Sequence, residues 1–214
     1  MDVPIIADIV ASRDAADRDA VQGDIERAAG LVEKVRPRAK RGWRATAGDE
    51  FQAVYGSLAD ALVATLAIQL ALPEGSACRF GIGMGEVHPV ESSLADEIED
   101  GPGWWSARAA VERAEEVGRP GDARTWFAPH ETAGRDAEQT AGVVNAYLRL
   151  RDEVVSGMSD RARNVTFAIW HGEYQKDVAE REGISQAAVS QLINKPIIRA
   201  LREGMAGLAG DQPS

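Results

Sequence analysis

Between positions 186 and 195 the chain carries Gln186, Ala187, Ser190, Gln191, Asn194 and Lys195, a set of short or polar side chains suited to base edges and phosphates. Glutamine and asparagine each set a donor beside an acceptor and pair bidentately with adenine. Such a set needs a rigid element to present it, and the stretch QKDVAEREGISQAAVSQLINK, from Gln175 to Lys195, predicts one. A first helix over 175–182 buries Val178 and Ala179. Gly183 ends it in the left-handed conformation that glycine tolerates. Ile184 plugs the turn, and Ser185 accepts a hydrogen bond from an orphan N–H to start a second helix. Val189, Leu192 and Ile193 then share one apolar face, which leaves the polar set outside.

Counted from Gln175 as one, the small Ala179 stands at five, Gly183 at nine, Val189 at fifteen and Leu192 at eighteen. This spacing resembles the helix-turn-helix of DNA-binding proteins, and the module is similar to sigma region 4-like domains. The resemblance implies contact with double-stranded DNA through Lys176, Ser185, Gln186, Ala187, Ser190, Gln191, Asn194 and Lys195. A helical hairpin that only packs or dimerises is the alternative. Seven Lys/Arg and seven Asp/Glu lie between Asp160 and Ser214, so the segment is neutral. Phosphate contact therefore depends on where Arg161, Arg163, Lys176, Lys195, Arg199 and Arg202 are placed, or on a dimer.

The chain has 214 residues and a net charge of −10, all of it in the part before position 160. A body so acidic is no nucleic-acid platform, although it suits a divalent metal. Hydrophobic residues at 44% and charged residues at 27% fit a globular protein of one large or two small domains. The single Cys78 forms no internal disulfide, which points to the cytoplasm. Met1 to Val10 lacks a positive n-region, and the apolar run 58–72 is interrupted by Asp60, Thr65 and Gln69, so neither a signal peptide nor a membrane span is expected.

Taken in order, the patterning predicts a buried strand over 3–10, a polar turn over 12–18 and a helix over 20–35 ended by Pro37. Two strands over 43–55 join near Gly48-Asp49, and a strongly apolar helix covers 57–72. A strand over 79–87 carries Gly81, Gly83 and Gly85. An acidic loop over 88–103, a helix over 104–117, a strand over 124–128 and a helix over 136–156 follow, and a helical module opens at 161–171. The order β-α-β-β-α-β-α-β fits a split β-α-β, ferredoxin-like α+β layer.

Several stretches of this layer match one fold. Asp8-Ile9-Val10 resembles the start of a class III nucleotide cyclase domain. Gly48-Asp49-Glu50-Phe51 resembles that family's second-strand hairpin and the Gly-Asp-Glu-Phe turn of diguanylate cyclases. Arg79 to Glu86 resembles a later cyclase strand, and Trp105-Ser106-Ala107-Arg108-Ala109-Ala110 resembles the helix bearing a catalytic arginine. The likeness covers about residues 3 to 128. With the helix-turn-helix behind it, the whole chain is similar to the SatD family. The resemblance implies Asp8 and Asp49 as Mg²⁺ ligands, with the carbonyl of Ile9 as a third. It implies Arg108 as the group meeting transition-state charge, and Arg13, Arg18 and Glu50 as nucleotide contacts. Two positions depart from the cyclase pattern. Trp104 stands where cyclases carry an asparagine, and Ala45 where they carry the lysine that reads adenine, so no substrate is carried over.

Each of these residues also has a plainer reading: Asp8 as a strand-end cap, Gly48-Asp49 as an ordinary hairpin turn, Arg108 as a salt-bridged helix residue. Trp104 and Trp105 read as packing aromatics. His88, His130 and His171 show no metal-ligand spacing, and no nucleophile elbow is present. The expected organisation is a cyclase-like domain over 1–133, a connecting helix over 134–157, a helix-turn-helix domain over 158–209 and a disordered tail over 210–214. The expected function is a cytoplasmic, homodimeric DNA-binding regulator whose first domain senses a nucleotide or metal. A divergent Mg²⁺-dependent nucleotide cyclase or nucleotidyltransferase is the alternative.

Overall fold

The computed structural model describes residues 1–10, 15–35, 37–46, 50–90, 98–118 and 125–210. The chain is α+β, and its elements run β1 (Val3–Ile9), α1 (Ala15–Val32), β2 (Arg41–Ala45), β3 (Glu50–Tyr55), α2 (Leu58–Ala71), β4 (Cys78–Met84), β5 (His88–Pro89), β6 (Glu99–Asp100), α3 (Pro102–Val117), β7 (Thr125–Pro129), α4 (Arg135–Ser156), α5 (Asp160–Trp170), α6 (Gln175–Glu182), α7 (Gln186–Ile193) and α8 (Pro196–Ala209). Among the described residues five strands form one mixed sheet in the order β2-β3-β1-β4-β7, in which β4 and β7 pair parallel and the other neighbours antiparallel.

Strand alternation divides the sheet into two faces. Val3, Ile5, Ala7 and Ile9 of β1 point into the main core with Val21, Ile25 and Val32 of α1 and most of α2. Ile6 points the other way and packs with Val54 beneath Trp104, Ala107 and Val111 of α3. Asp8, two residues on, shares that face. The α2 helix is buried at every position from Ala61 to Leu70. It is apolar all round because α1, the sheet, α5 and α8 surround it, and Phe167 of α5 and Met205 of α8 belong to the same core. Its start is fixed by Ser57, whose hydroxyl accepts from the Asp60 N–H at 3.1 Å.

The α3 helix lies directly on β4. A Cβ at Gly81 would come 2.2 Å from the Ala107 carbonyl oxygen, and one at Gly83 2.2 Å from that of Gly103. Glycine is required here by the close approach of two backbones.

The α4 helix closes the β7 edge. The Asn145 side chain donates to the Phe127 carbonyl at 2.9 Å and accepts from its N–H at 2.8 Å, as a neighbouring strand would. Two turns later Asp152 accepts from the Thr125 N–H at 2.6 Å and from Gln69 at 3.1 Å, while pairing with the fully buried Arg151 at 2.7 Å. Arg151 also donates to the Leu62 carbonyl and to the Thr65 and Thr125 hydroxyls. This network ties α4 to α2 and β7.

Several boundaries differ from the sequence expectation, among them the end of α1, at Val32 where 35 was expected, and the end of β4, at Met84 where 87 was expected. The α1 helix begins at Ala15, inside the stretch 12–18 whose polar composition suggested a turn. The α3 helix begins at Pro102 because Gly101, at φ 130°, caps it and proline suits the first helical position. The acidic stretch before it is not wholly loop, since His88–Pro89 pairs with Glu99–Asp100. The stretch over 91–97 lies outside the described residues, as do 211–214 of the expected tail.

Candidate functional site

Two surfaces hold the residues singled out by sequence. The first is a row across the sheet on its α3 side. Asp8 on β1 stands directly opposite Glu50 on β3 and opposite Arg79 on β4. Directly opposed residues point to the same face, so one sheet position gathers two carboxylates and a guanidinium. Arg79 donates to Asp8 at 2.9 Å and reaches Glu115 of α3 at 3.3 Å. Arg108, also on α3, donates to Glu50 at 2.5 Å. That hydrogen bond, with the charges of Glu112 and Asp8 adding to it, holds the Arg108 guanidinium above its ordinary pKa against a smaller desolvation effect. The second oxygen of Glu50, Oε2, is buried with no hydrogen-bond partner. A hard, orphaned, anionic oxygen beside a second carboxylate fits a divalent cation, although each carboxylate already has a guanidinium against it.

Asp8, Glu50 and Arg108 are therefore brought together. Ile9 turns its side chain into the core at 4% exposure. Asp49 and Arg13 lie outside the described residues, as does the side chain of Arg18. Sequence reading missed Arg79. Its role depends on the β1–β4 register, and only an alternation count carried across both strands would have aligned it with Asp8. No group of three or more His, Cys, Asp or Glu placed to hold a metal occurs among the described residues.

The second surface is the α6–α7 pair. Gly183 ends α6 at φ 64°, ψ 36°, and its N–H bonds back to the carbonyls of Ala179 and Glu180. The α5, α6 and α7 helices close on Val165, Ala168, Val178, Ala179, Val189 and Ile193, with Ile184 and Leu192 packed partly buried at the margin. Leu192 thus sits at the rim of the cluster rather than inside it. Gln186, Ala187, Gln191, Asn194 and Lys195 are exposed, and Ser190 is half-buried. Two of the polar groups serve the helix itself. Ser185 accepts from the Ala188 N–H at 3.1 Å, and Asn194 donates to the Ser190 carbonyl at 2.8 Å. Lys176 and Gln186 border one open concavity beside Tyr174, which is 78% exposed. The unspent polar set is Lys176, Gln186, Gln191 and Lys195.

Trp104 is buried, as a packing aromatic should be, but Trp105 is 57% exposed and donates from its indole N–H to Asp100 at 2.8 Å. The three histidines are scattered. His130 sits beside Trp105 ahead of a short 3₁₀ turn, while His171 ends α5 and pairs with Glu173 at 3.1 Å. Among the described residues no helix is long and apolar enough to cross a membrane.

Comparison with known proteins adds one family. The model described as the SatD family matches residues 2–201. No curated protein matches the chain. Among solved structures, the crystal structure of a regulator of polyketide synthase expression from Bifidobacterium adolescentis is similar over 98% of this chain and 80% of that one. Identity is 12% and the TM-score 0.27, a level at which the likeness carries no argument.

Proposed function

The chain belongs to the SatD family, and we propose that it is a DNA-binding transcriptional regulator with a nucleotide- or metal-sensing first domain. The observation carrying the first half is α7. It buries Val189 and Ile193 and turns Gln186 and Gln191 outward, with Lys195 exposed two residues past its end, across a turn made by a left-handed glycine. On this reading α5 to α8 form the helix-turn-helix module over 158–209, and α7 enters the major groove with Gln186 and Gln191 toward base edges. Lys176 and Lys195 lie toward phosphate. A neutral module needs two copies to gather enough phosphate contacts. The second copy docks along α4 (the connecting element over 134–157), where Val143 and Leu150 are 73% and 71% exposed, two turns apart on one side, with Tyr147 and Val154 half-buried along it. Binding-site selection with the purified chain tests this reading, and enrichment of no sequence would overturn it.

For the residues 1–133 we read a ferredoxin-like, cyclase-type layer whose row of Asp8, Glu50, Arg79 and Arg108 is the sensing surface. Mg²⁺, where bound, would neutralise Asp8 and Glu50 and carry a nucleotide polyphosphate with it. The chain's own task is then to hold the two carboxylates in register and to offer Arg79 and Arg108 to the phosphates. A ligand bound only by the folded chain raises its melting temperature. With a nucleoside triphosphate present, adding millimolar Mg²⁺ should raise the melting temperature further than in EDTA in the parent, and this Mg²⁺-dependent increment should be absent in Asp8→Asn. Equal melting temperatures with and without ligand in the parent would discard the sensing role. A second reading, a divergent nucleotide cyclase or nucleotidyltransferase, is favoured by one observation: Arg108, the position resembling a catalytic arginine, faces Glu50 and lies beside Asp8.

A further inference from the structure

On the opposite side of the sheet from Asp8 and Glu50, the C-terminal end of α1, the first turn of α2 and the ends of α5 and α8 enclose an open groove of about 860 Å³. Its walls come from both halves of the chain: Lys34 and Arg38 follow α1, Asp60 belongs to α2, and Trp170 and His171 close α5. Lys34 and Arg38 make no ion pair or side-chain hydrogen bond with any described residue, in a chain that is otherwise strongly acidic. His171 is already engaged, by the Phe167 carbonyl at 2.7 Å and by Glu173 at 3.1 Å. The spare positive charge is thus that of Lys34 and Arg38. Asp60, the only carboxylate among the described residues of the groove wall, receives the Ser57 hydroxyl on one oxygen at 2.7 Å, which leaves the other oxygen available to accept. Trp170 packs partly against the core with its flank toward Phe167, ring centroids 6.3 Å apart, and lines the groove.

We propose that this groove binds a nucleoside phosphate. Two free cations spaced along one chain segment suit a phosphate, an indole suits a planar base, and a carboxylate oxygen suits a ribose hydroxyl or an exocyclic amine. A simple phosphate would leave Trp170 and Asp60 without a purpose, and an uncharged ring would leave Lys34 and Arg38 without one. The volume lies within the range of small-molecule sites. Because its walls belong to α1 and α2 on one side and to α5 and α8 on the other, a bound nucleotide bridges the sheet layer and the helices that carry α6 and α7. The site is independent of the Asp8 row and requires no metal.

The test is titration of the full-length chain with AMP, GMP, ATP and GTP in EDTA, read by calorimetry and by tryptophan fluorescence. At least one of them should bind. The double variant Lys34→Gln/Arg38→Gln, altered only at exposed positions, should keep the parent's circular dichroism and weaken binding about tenfold or more, the scale of a lost charge-assisted contact. Trp170→Leu should weaken the same nucleotide about tenfold while leaving inorganic triphosphate unchanged. Asp8→Asn should bind as the parent does. The proposal is overturned if none of the four binds at millimolar concentration. It is equally overturned if Lys34→Gln/Arg38→Gln binds as the parent does, if Asp8→Asn abolishes binding, or if triphosphate alone binds as tightly as ATP.

Discussion

Substituting Gly81 by alanine probes the contact that positions Arg108. The added methyl would sit 2.2 Å from the Ala107 carbonyl oxygen and 2.4 Å from the Val111 nitrogen, both backbone atoms of α3. A relaxed carbon–oxygen contact is roughly 3.3 Å, so α3 must retreat by about 1 Å. That retreat opens the interface formed by Ile6, Val54, Trp104, Ala107 and Val111, and a gap of this width forfeits a quarter to a half of each contact's attraction. Overpacking usually costs about 1–3 kcal/mol, and an obstruction that cannot rotate away belongs at the upper end or above it. For a chain of this size 3 kcal/mol lowers the melting temperature by roughly 6–12 °C. The same retreat draws Arg108 away from Glu50, now 2.5 Å apart. Gly204, exposed in α8 with nothing within 4 Å of a built Cβ, is the control, and Gly204→Ala should stabilise by up to about 1 kcal/mol. Urea and thermal unfolding measure both. Gly81→Ala unfolding within about 0.5 kcal/mol of the parent would refute the argument that α3 is seated on bare β4 backbone.

Further outcomes follow from burial. Asp152→Ala leaves the fully buried Arg151 without its carboxylate and should cost about 3–5 kcal/mol in urea unfolding, whereas a loss below about 1 kcal/mol would contradict the network. Burial pushes the Cys78 thiol and the Tyr55 hydroxyl well above their ordinary values. Both stay neutral in the folded chain while the unfolded chain ionises, near pH 8.5 for the thiol and pH 10 for the phenol. Stability should therefore be fully present below about pH 8.5 and fall as pH rises, with the early part of the fall absent in Cys78→Ala; an unchanged urea midpoint from pH 7.5 to 10.5 would oppose this. If the proposed dimer forms along α4, Leu150→Lys, at an exposed α4 position, should leave the melting temperature within a few degrees and give a monomer by light scattering where the parent gives a dimer; a parent that is already monomeric at tens of micromolar removes the α4 interface.

Local signals in the sequence were strong where one residue dictates backbone shape. Gly183 alone placed the end of α6, and Ser185 the start of α7, because a left-handed glycine and a hydroxyl cap act within a few residues. The strongly apolar run over 57–72 likewise gave the α2 helix, capped at Ser57. What depends on register was not legible. Arg79 meets Asp8 only because β4 pairs with β1 at that offset, and Arg151 finds Asp152, Thr65 and Thr125 only once α4 lies along β7. Nothing in the sequence pattern sets Arg151 and Asp152 apart from the other charged residues of α4. Nor did the polar face of α7 reveal that Asn194 would be occupied with the Ser190 carbonyl, a bond that exists only because Asn194 caps the helix.

The central claim is that α7 reads base sequence. The direct measurement is binding-site selection with the full-length chain, followed by affinities of Gln191→Ala and Lys195→Ala on the enriched site and on random duplex across a salt series. If α7 reads bases, one sequence is enriched. Gln191→Ala then loses about 1–3 kcal/mol on that sequence and almost nothing on random duplex. Lys195→Ala weakens both alike and lowers the salt slope by about one. If no sequence is enriched and Gln191→Ala binds every duplex as the parent does, α7 is a packing or partner surface and the regulator reading is wrong.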